Sequence, residues 1–306
     1  MKGLRNRIAG ALYGVAIGDA LGAPLEFMSQ EQIAKKHGRV TEMIGGGWLD
    51  IEPGEITDDT QMTLAVAEGI IANPEDPVQE IGARFIEWAM SGPKDIGTTC
   101  SMSIREAAAK SHQGAPDATI WFNASKHTSE TNGGRSGGNG ALMRTVYPGL
   151  YYPSYQKAQE ISSAVARMTH WDASSTSACF LYTHMIYLIT EAKTFNIYEL
   201  TEDTPYHAIL KDSSEIERLE PTGYVVDSMK CALAAFWHTD RFDDAVIFAA
   251  NLGGDADTIA AIAGGLAGAF HGYKAIPQRW IQALKPETRA QLDRLADAAV
   301  KNREGR

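Results

Sequence analysis

The sequence predicts an all-α protein that forms a single domain over residues 1–306. Apolar residues recur at helical spacing in one segment after another, and Gly and Pro residues separate the segments. Period-two strands, β-α-β alternation and fixed-period repeats are missing from the sequence. Two clusters of Thr and Asp each stand where a helix is predicted to begin, so functional loops are expected at helix ends.

Composition limits the class of protein further. Hydrophobic residues make up 44% and charged residues 22% of 306 residues, which is ordinary for a globular protein with a sizeable core. The formal net charge of −10 argues against a nucleic-acid-binding face. Cys100, Cys179 and Cys231 are scattered, which favours a reducing compartment. No signal-peptide core and no apolar run of membrane-spanning length is apparent, so a cytoplasmic protein without a membrane segment is expected.

The first half of the chain is predicted to contain four helices. Leu4, Ile8, Leu12 and Val15 indicate a buried helix, and Pro24 ends it. Residues 37–56 are rich in glycine and irregular. Further helices are predicted from Thr60 to about Ala72, from Val78 to Met90, and from the Asp95–Thr99 segment through Ala109. Residues 112–135 are expected to form a long polar loop.

The second half is also predicted to be helical. Residues 155–190 indicate two helices joined around Thr169–Asp172, and residues 194–223 are more polar and less regular. Helices are then predicted over Tyr224–Trp237, Phe242–Ala250, 258–270 and Pro286–Lys301.

One acidic cluster lies in Asn251–Thr258, where Asp255, Asp257 and Thr258 follow two glycines. A single Asp would suffice as a helix N-cap. Two carboxylates so close together repel each other unless a cation lies between them. For this stretch alone, an N-cap with solvated neighbours is an equally good interpretation.

A second cluster decides between these interpretations. Thr57, Asp58 and Asp59 have the same composition and again precede an apolar helical run. Carboxylates and hydroxyls without a companion His or Cys favour magnesium, manganese or calcium over zinc. If the fold brings the clusters together, they form a two-metal site with ions roughly 3.5–4 Å apart.

The Ser136–Gly140 loop precedes a helical start, so its backbone N–H groups could bind an anion such as a phosphate. It lacks the lysine and preceding strand of a nucleotide-hydrolysing P-loop, and an ordinary turn is the alternative. Asp19 is interpreted as a structural cap or support. Glu26 is either a surface acid or a mobile ligand or base. His170 is either a buried helix-end histidine or a ligand contact.

Four motifs follow one another along the chain: Gly18–Gly22 with Glu26, Thr57–Met62, Gly138–Arg144 and Asn251–Thr258. Together they resemble the ADP-ribosylglycohydrolases, and the resemblance runs from about Ile8 to about Gly272. Asp-x-Asp-Thr alone is weak evidence, but the ordered set is specific. Residues 223–227 also resemble the bacterial, nitrogenase-regulating branch of the family.

The resemblance implies a compact orthogonal helical bundle with a dinuclear magnesium or manganese site at helix ends. The implied metal ligands are Thr57, Asp58, Asp59, Asp255, Asp257 and Thr258. The implied catalytic residues are Glu26, Asp255 and Asp95. The implied contacts to ADP-ribose are Ser136, Gly137, Gly138, Asn139, Gly140, Gly97, His170 and Tyr224.

The implied activity is removal of ADP-ribose from a modified protein side chain by cleavage at the distal ribose. Arginine is the expected acceptor, because Asp95 and Glu26 suit a planar cationic leaving group. Serine or another linkage, phosphodiester cleavage and a non-catalytic ADP-ribose-binding protein are the alternatives. Direct attack by water and a ring-opened route both stay open. The expected partners are an ADP-ribosylated protein and free ADP-ribose, and the protein is expected to be a monomer.

Overall fold

The computed structural model describes residues 2–111 and 114–305, and within these ranges the chain is almost entirely helical. The α-helices are α1 (Lys2–Gly22), α2 (Gln30–His37), α3 (Asp58–Ala72), α4 (Val78–Met90), α5 (Thr98–Lys110), α6 (Ala118–Thr131), α7 (Val146–Tyr151), α8 (Tyr155–Arg167), α9 (Ala173–Thr190), α10 (Ile197–Thr201), α11 (His207–Lys211), α12 (Val225–Trp237), α13 (Phe242–Asn251), α14 (Ala256–His271), α15 (Gln278–Ala283) and α16 (Pro286–Glu304). Short 3-10 helices cover Ala23–Leu25, Asn139–Arg144, Ser213–Arg218 and Tyr273–Ala275. The only β pairings among the described residues are isolated bridges. The all-α prediction is therefore confirmed.

Helices α1 and α14 form the antiparallel pair at the centre of the core. A glycine in every fourth position of α1 faces the backbone of α14. A Cβ added to Gly14 would lie 2.0 Å from the carbonyl oxygen of Gly264, and one added to Gly22 would lie 2.4 Å from that of Ala256. Only glycine permits so close an approach. The contact brings the C-terminal end of α1 against the N-terminal end of α14.

The prediction of a polar loop over 112–135 is wrong. Residues 112 and 113 lie outside the described residues, but α6 occupies most of the segment. The Asp117 carboxylate accepts a hydrogen bond from the backbone N–H of Ile120 at 2.9 Å and thereby caps the helix. The Trp121 ring is buried against Phe85, 6.2 Å between centroids. Small polar residues such as Ser125 complete the buried face, so the segment lacked a clear apolar period.

Helix α2 lies in a segment for which no helix was predicted. Ser29 and Gln32 form a capping box, with the Gln32 backbone N–H donating to Ser29 Oγ at 3.2 Å and the Ser29 N–H to Gln32 Oε1 at 2.7 Å. This pair was a sequence signal for the helix. The other predicted helices are present with ends shifted by a few residues.

Residues 3–25 depart from the expectation that no run reaches membrane-spanning length. An 18-residue window within these 23 residues has a mean hydropathy of 1.4, which by length and composition is enough to cross a membrane. The whole window is buried inside the protein. Core helices pass the same test, and this helix packs on α14 from Gly10 to Gly22.

Candidate active site

Asp19, near the C-terminal end of α1, caps the N-terminus of α3. Its carboxylate accepts hydrogen bonds from the Thr57 backbone N–H at 3.0 Å, the Thr57 hydroxyl at 2.8 Å and the Thr60 N–H at 3.1 Å. Burial raises the pKa of Asp19 to about 6, although the hydrogen bonds from Thr60 and Thr57 act in the opposite direction. The supporting role predicted for Asp19 agrees with these contacts. Asp19 thereby ties the first acidic cluster to the helix that packs on the second.

The fold brings the two acidic clusters together. Glu26, Asp255 and Asp257 each present a carboxylate oxygen, and these oxygens lie within 4.8 Å of one another. The Thr258 hydroxyl donates to Asp59 Oδ2 at 3.3 Å, which links α14 to α3. Asp59 Oδ1 is buried and has no hydrogen-bond partner. A buried carboxylate oxygen without a partner requires compensation that these neighbours do not supply.

The electrostatics of this cluster also favour a bound cation. Burial, together with the charges of neighbouring carboxylates, raises the pKa values of Asp58, Asp59 and Asp257 well above the usual range. None of the salt bridges found in the described part of the chain involves these acids. Hard oxygen donors in this number fit a divalent cation of the magnesium or manganese type.

Glu26 lies at the edge of the cluster. Burial raises its pKa to about 8 and the charges of Asp255 and Asp95 add to the increase, whereas a hydrogen bond from the Trp48 indole N–H opposes it. Asp95 is half-buried, and burial, with a contribution from Asp255, raises its own pKa. Its charge raises the pKa values of Glu26 and Asp58, so Asp95 is close enough to interact with both carboxylates.

The Ser136–Gly140 loop borders the same cluster. The Asn139 side-chain amide donates to Asp255 Oδ2 at 2.8 Å and to Ser228 Oγ at 2.9 Å. The Asn139 backbone N–H donates to the carbonyl of Gly223 at 3.0 Å, so the loop is held against the segment that precedes α12. Ser136 Oγ is buried without a partner. The loop therefore combines a fixed position with an unused hydrogen-bonding group.

The glycines of this loop lie close to two aromatic rings. A Cβ on Gly137 would lie 2.9 Å from Cε2 of Tyr224, and one on Gly138 would lie 3.1 Å from Nε2 of His170. A Cβ on Gly140 would lie 3.0 Å from Sγ of Cys100 and 3.2 Å from Cε1 of His170. The structure thus brings both predicted ring contacts to the predicted loop. Gly97, by contrast, is exposed at the start of α5 with open space beside it.

His170 is neutral and hydrogen-bonded on its buried side. Burial and the charge of Arg144 lower its pKa to about 3. Thr169 Oγ1 accepts a hydrogen bond from the Arg144 guanidinium at 2.7 Å and lies 2.8 Å from His170 Nδ1. Because the hydroxyl oxygen already accepts from Arg144, its hydrogen is best directed to Nδ1. The imidazole then carries its own hydrogen on Nε2, beside Gly138.

Two aromatic residues at the site were not predicted. The Trp48 indole contacts the Glu26 carboxylate, and its ring lies 5.3 Å from that of Phe27 between centroids. No local sequence signal identifies this pair, since it depends on how a glycine loop passes over Pro24.

The fold and this site together define a class of protein. The model of the ADP-ribosylglycohydrolase family matches residues 1–306. The chain belongs to this family, as its four motifs predicted, and is a hydrolase of ADP-ribosyl linkages.

Particular relatives support the assignment. The ADP-ribosyl-[dinitrogen reductase] glycohydrolase of Rhodospirillum rubrum is 34% identical over 298 residues, which cover 97% of this chain and 96% of the relative. ADP-ribosylarginine hydrolase Tri1 of Serratia proteamaculans is 30% identical over 301 residues, covering 93% of this chain and 76% of the relative. A solved structure described as an ADP-ribosylglycohydrolase-related protein complex superposes with a TM-score of 0.79 at 28% identity, covering 99% of this chain and 100% of that one.

Proposed function

We propose that this chain removes ADP-ribose from modified arginine side chains of proteins, using two magnesium or manganese ions. The observation that carries the proposal is the convergence of Glu26, Asp255 and Asp257 within 4.8 Å, beside the buried and unpartnered oxygen of Asp59. The second support is the glycine loop, which is held to Asp255 through Asn139.

The metal ligands we propose come from the starts of α3 and α14. When bound, divalent ions supply Lewis-acid stabilisation for charge on sugar and water oxygens. Thr57 donates its hydroxyl hydrogen to Asp19, so the lone pairs of that oxygen remain available as a ligand. The six proposed ligands are Thr57, Asp58, Asp59, Asp255, Asp257 and Thr258.

Glu26 and Asp255 are the groups proposed to move protons at the glycosidic bond. The raised pKa of Glu26, about 8, lets its carboxyl group hold a proton at a pH at which most carboxylates do not. The nearby Asp255 accepts a hydrogen bond from Asn139, which fixes one of its oxygens. On the other side, the backbone N–H groups of the 136–140 loop other than that of Asn139, together with Nε2 of His170, would bind the diphosphate.

The choice of arginine rests on charge. Asp95 and Glu26 lie where the leaving group departs, and a guanidinium is a delocalised cation that binds carboxylates with paired donors. A serine leaving group is neutral and gains less from them. The Serratia relative is named an ADP-ribosylarginine hydrolase, in agreement with this choice.

Two peptides that differ only in the modified residue, arginine or serine, test the proposal. Each is incubated with Mg²⁺, Mn²⁺ or EDTA, and released ADP-ribose is measured. We expect faster release from arginine, none in EDTA, and a loss of about 10- to 100-fold in the arginine rate for Asp95→Asn, the loss of a charged hydrogen bond. Asp76→Asn, at an exposed position, is the control. Equal rates on the two peptides would contradict the arginine assignment.

Monomeric state and cytoplasmic location belong to the same proposal. The three cysteines are free and buried, which suits a reducing compartment. Sedimentation at micromolar concentration tests the first, and fractionation of cells that produce the protein tests the second.

A further inference from the structure

Two large aromatic side chains stand exposed beside the carboxylate cluster. Phe27 is 68% exposed and Trp48 is 51% exposed, although both are large apolar residues. Their rings contact each other at 5.3 Å between centroids. Phe27 directly follows Glu26, and Trp48 hydrogen-bonds to it. This aromatic pair therefore lies on the solvent-exposed side of Glu26.

The backbone holds the pair firmly. Phe27 has a φ of 62°, a left-handed conformation that is a clear outlier for a bulky residue. Its N–H donates to the carbonyl of Gly254 at 2.7 Å, and the Gly254 N–H donates to the carbonyl of Met28 at 2.8 Å. These bonds join Phe27 to the loop that carries Asp255. Strain of this kind persists only where the surroundings impose it, and it concentrates at functional sites.

Trp48 is fixed by a different segment. Gly45, Gly46 and Gly47 all have positive φ angles, between 66° and 85°. A Cβ on Gly47 would lie 2.8 Å from Cα of Pro24, so the loop passes tightly over the end of α1. Two separate and constrained segments thus present their rings to solvent at the same place. An exposed, rigid aromatic surface is typical of a protein-binding contact.

The position of the pair indicates what it contacts. The glycine loop meets the cluster at Asp255, through Asn139. The aromatic pair meets the cluster at Glu26. In the proposed function the diphosphate of ADP-ribose lies along the glycine loop. The part of the site next to Glu26 and Asp95 is then available for the side chain and polypeptide that carry the ADP-ribose.

We propose that Phe27 and Trp48 form a docking surface for the polypeptide that flanks the modified residue of the substrate protein. The inference rests on the proposed function. The occupant it commits to is a protein chain with apolar side chains next to the modification, since two exposed rings without a charge offer apolar contact. Trp48 has a second role as a positioning residue, because its indole N–H holds the Glu26 carboxylate.

The test compares a modified protein with ADP-ribosyl-arginine itself, which has no flanking polypeptide. Phe27→Asn removes the ring but suits a left-handed backbone. We expect the ratio of kcat/KM for the protein to kcat/KM for ADP-ribosyl-arginine to fall about 5- to 30-fold, the effect of losing an interface aromatic. The fall should appear mainly in KM. Phe270→Ala is the matched control, because Phe270 is 59% exposed but lies at the far end of α14, and the ratio should not move.

Trp48→Phe and Trp48→Ala separate the two roles of Trp48. The phenylalanine variant keeps a ring but lacks the N–H, so kcat should fall on both substrates while the ratio stays near that of the wild type. The alanine variant should lower both kcat and the ratio. An unchanged ratio in Phe27→Asn and Trp48→Ala overturns the docking surface. An equal fall on both substrates in Phe27→Asn also overturns it.

A binding measurement keeps the inference separate from the proposed function. In EDTA, where no turnover is expected, calorimetry compares an ADP-ribosylated arginine peptide with free ADP-ribose. The docking surface requires tighter binding of the peptide by the wild-type protein and loss of that advantage in Phe27→Asn. If the wild-type protein releases ADP-ribose from neither substrate, the proposed hydrolysis fails, and the calorimetric comparison alone decides the docking surface.

Discussion

Replacement of Asp257 by Asn should change the stability of the protein in opposite directions with and without metal. Asp257 lies within 4.8 Å of Glu26 and Asp255, measured between one carboxylate oxygen of each residue. Two unit charges at that distance repel by about 3 kcal/mol at an effective dielectric constant near 20. The raised pKa values mean that protons already relieve part of this repulsion.

The substitution keeps the local hydrogen bond. Asp257 Oδ1 accepts from the Thr258 backbone N–H at 2.8 Å, and the amide oxygen of Asn can accept it too. The loss of charge is therefore the main change. We expect metal-free Asp257→Asn to melt at the wild-type temperature or about 2–6 °C above it, since roughly 1 kcal/mol moves the melting temperature of a large domain by about 2–4 °C.

With metal bound, the wild-type protein should instead melt at a higher temperature than the variant. A divalent ion at 100 times its Kd stabilises the wild-type protein by about 2.7 kcal/mol, and the variant should lose most of this gain along with its affinity. Thermal melts in EDTA and across a Mn²⁺ or Mg²⁺ titration measure both effects. Asp76→Asn is the control, at an exposed position away from the cluster. A variant that melts below the wild type in EDTA, yet gains as much from metal, would refute the proposed site.

Three further predictions concern the core and the ligand loop. Gly14→Ala places a methyl group 2.0 Å from the Gly264 carbonyl oxygen. It should lower the free energy of unfolding, measured by urea denaturation, by about 1–3 kcal/mol or more. An unchanged value would contradict the register of α1 against α14. Nitrogen-15 NMR of the wild-type protein should show a neutral His170 ring with its hydrogen on Nε2. Thr169→Val should remove the change in the Nδ1 chemical shift that the hydrogen bond from the Thr169 hydroxyl causes. A hydrogen on Nδ1 would contradict the assigned bonding. The pKa of His170 is about 3 in the folded protein and near 6.5 in the unfolded chain, so the unfolded chain takes up the proton first. The free energy of unfolding should therefore fall as pH drops from 6.5 towards 3, by up to about 1.4 kcal/mol per pH unit. His170→Gln should make this decline shallower, and an identical pH profile would count against the lowered pKa.

The sequence alone was sufficient for the helical architecture and for the chemical type of the site. Helical periodicity depends on local spacing, so it predicted α1, α3, α4 and the helices after residue 155. Thr and Asp clusters at helix starts indicated hard ligands, because one N-cap does not need two carboxylates. The ordered motifs then predicted the family, which the match over residues 1–306 bears out.

The same local rules failed where polar residues pack inside. Helix α6 buries Ser125 and Thr128 beside Trp121, and a polar stretch of this kind has no apolar period to detect. Its burial depends on what α4 and α5 place opposite it, which spacing along one segment does not contain.

Only the tertiary structure decided which groups meet. Glycines spaced four residues apart in α1 indicate close packing, but not that their partners would be Gly264 and Ala256 in α14. That register puts Asp19 where it can cap α3, about 40 residues later in the chain, and so joins the two acidic clusters. The contact of Trp48 with Glu26 has the same origin. Each segment's composition sets what it can bond to, whereas the distance between segments follows from how closely their backbones can pack.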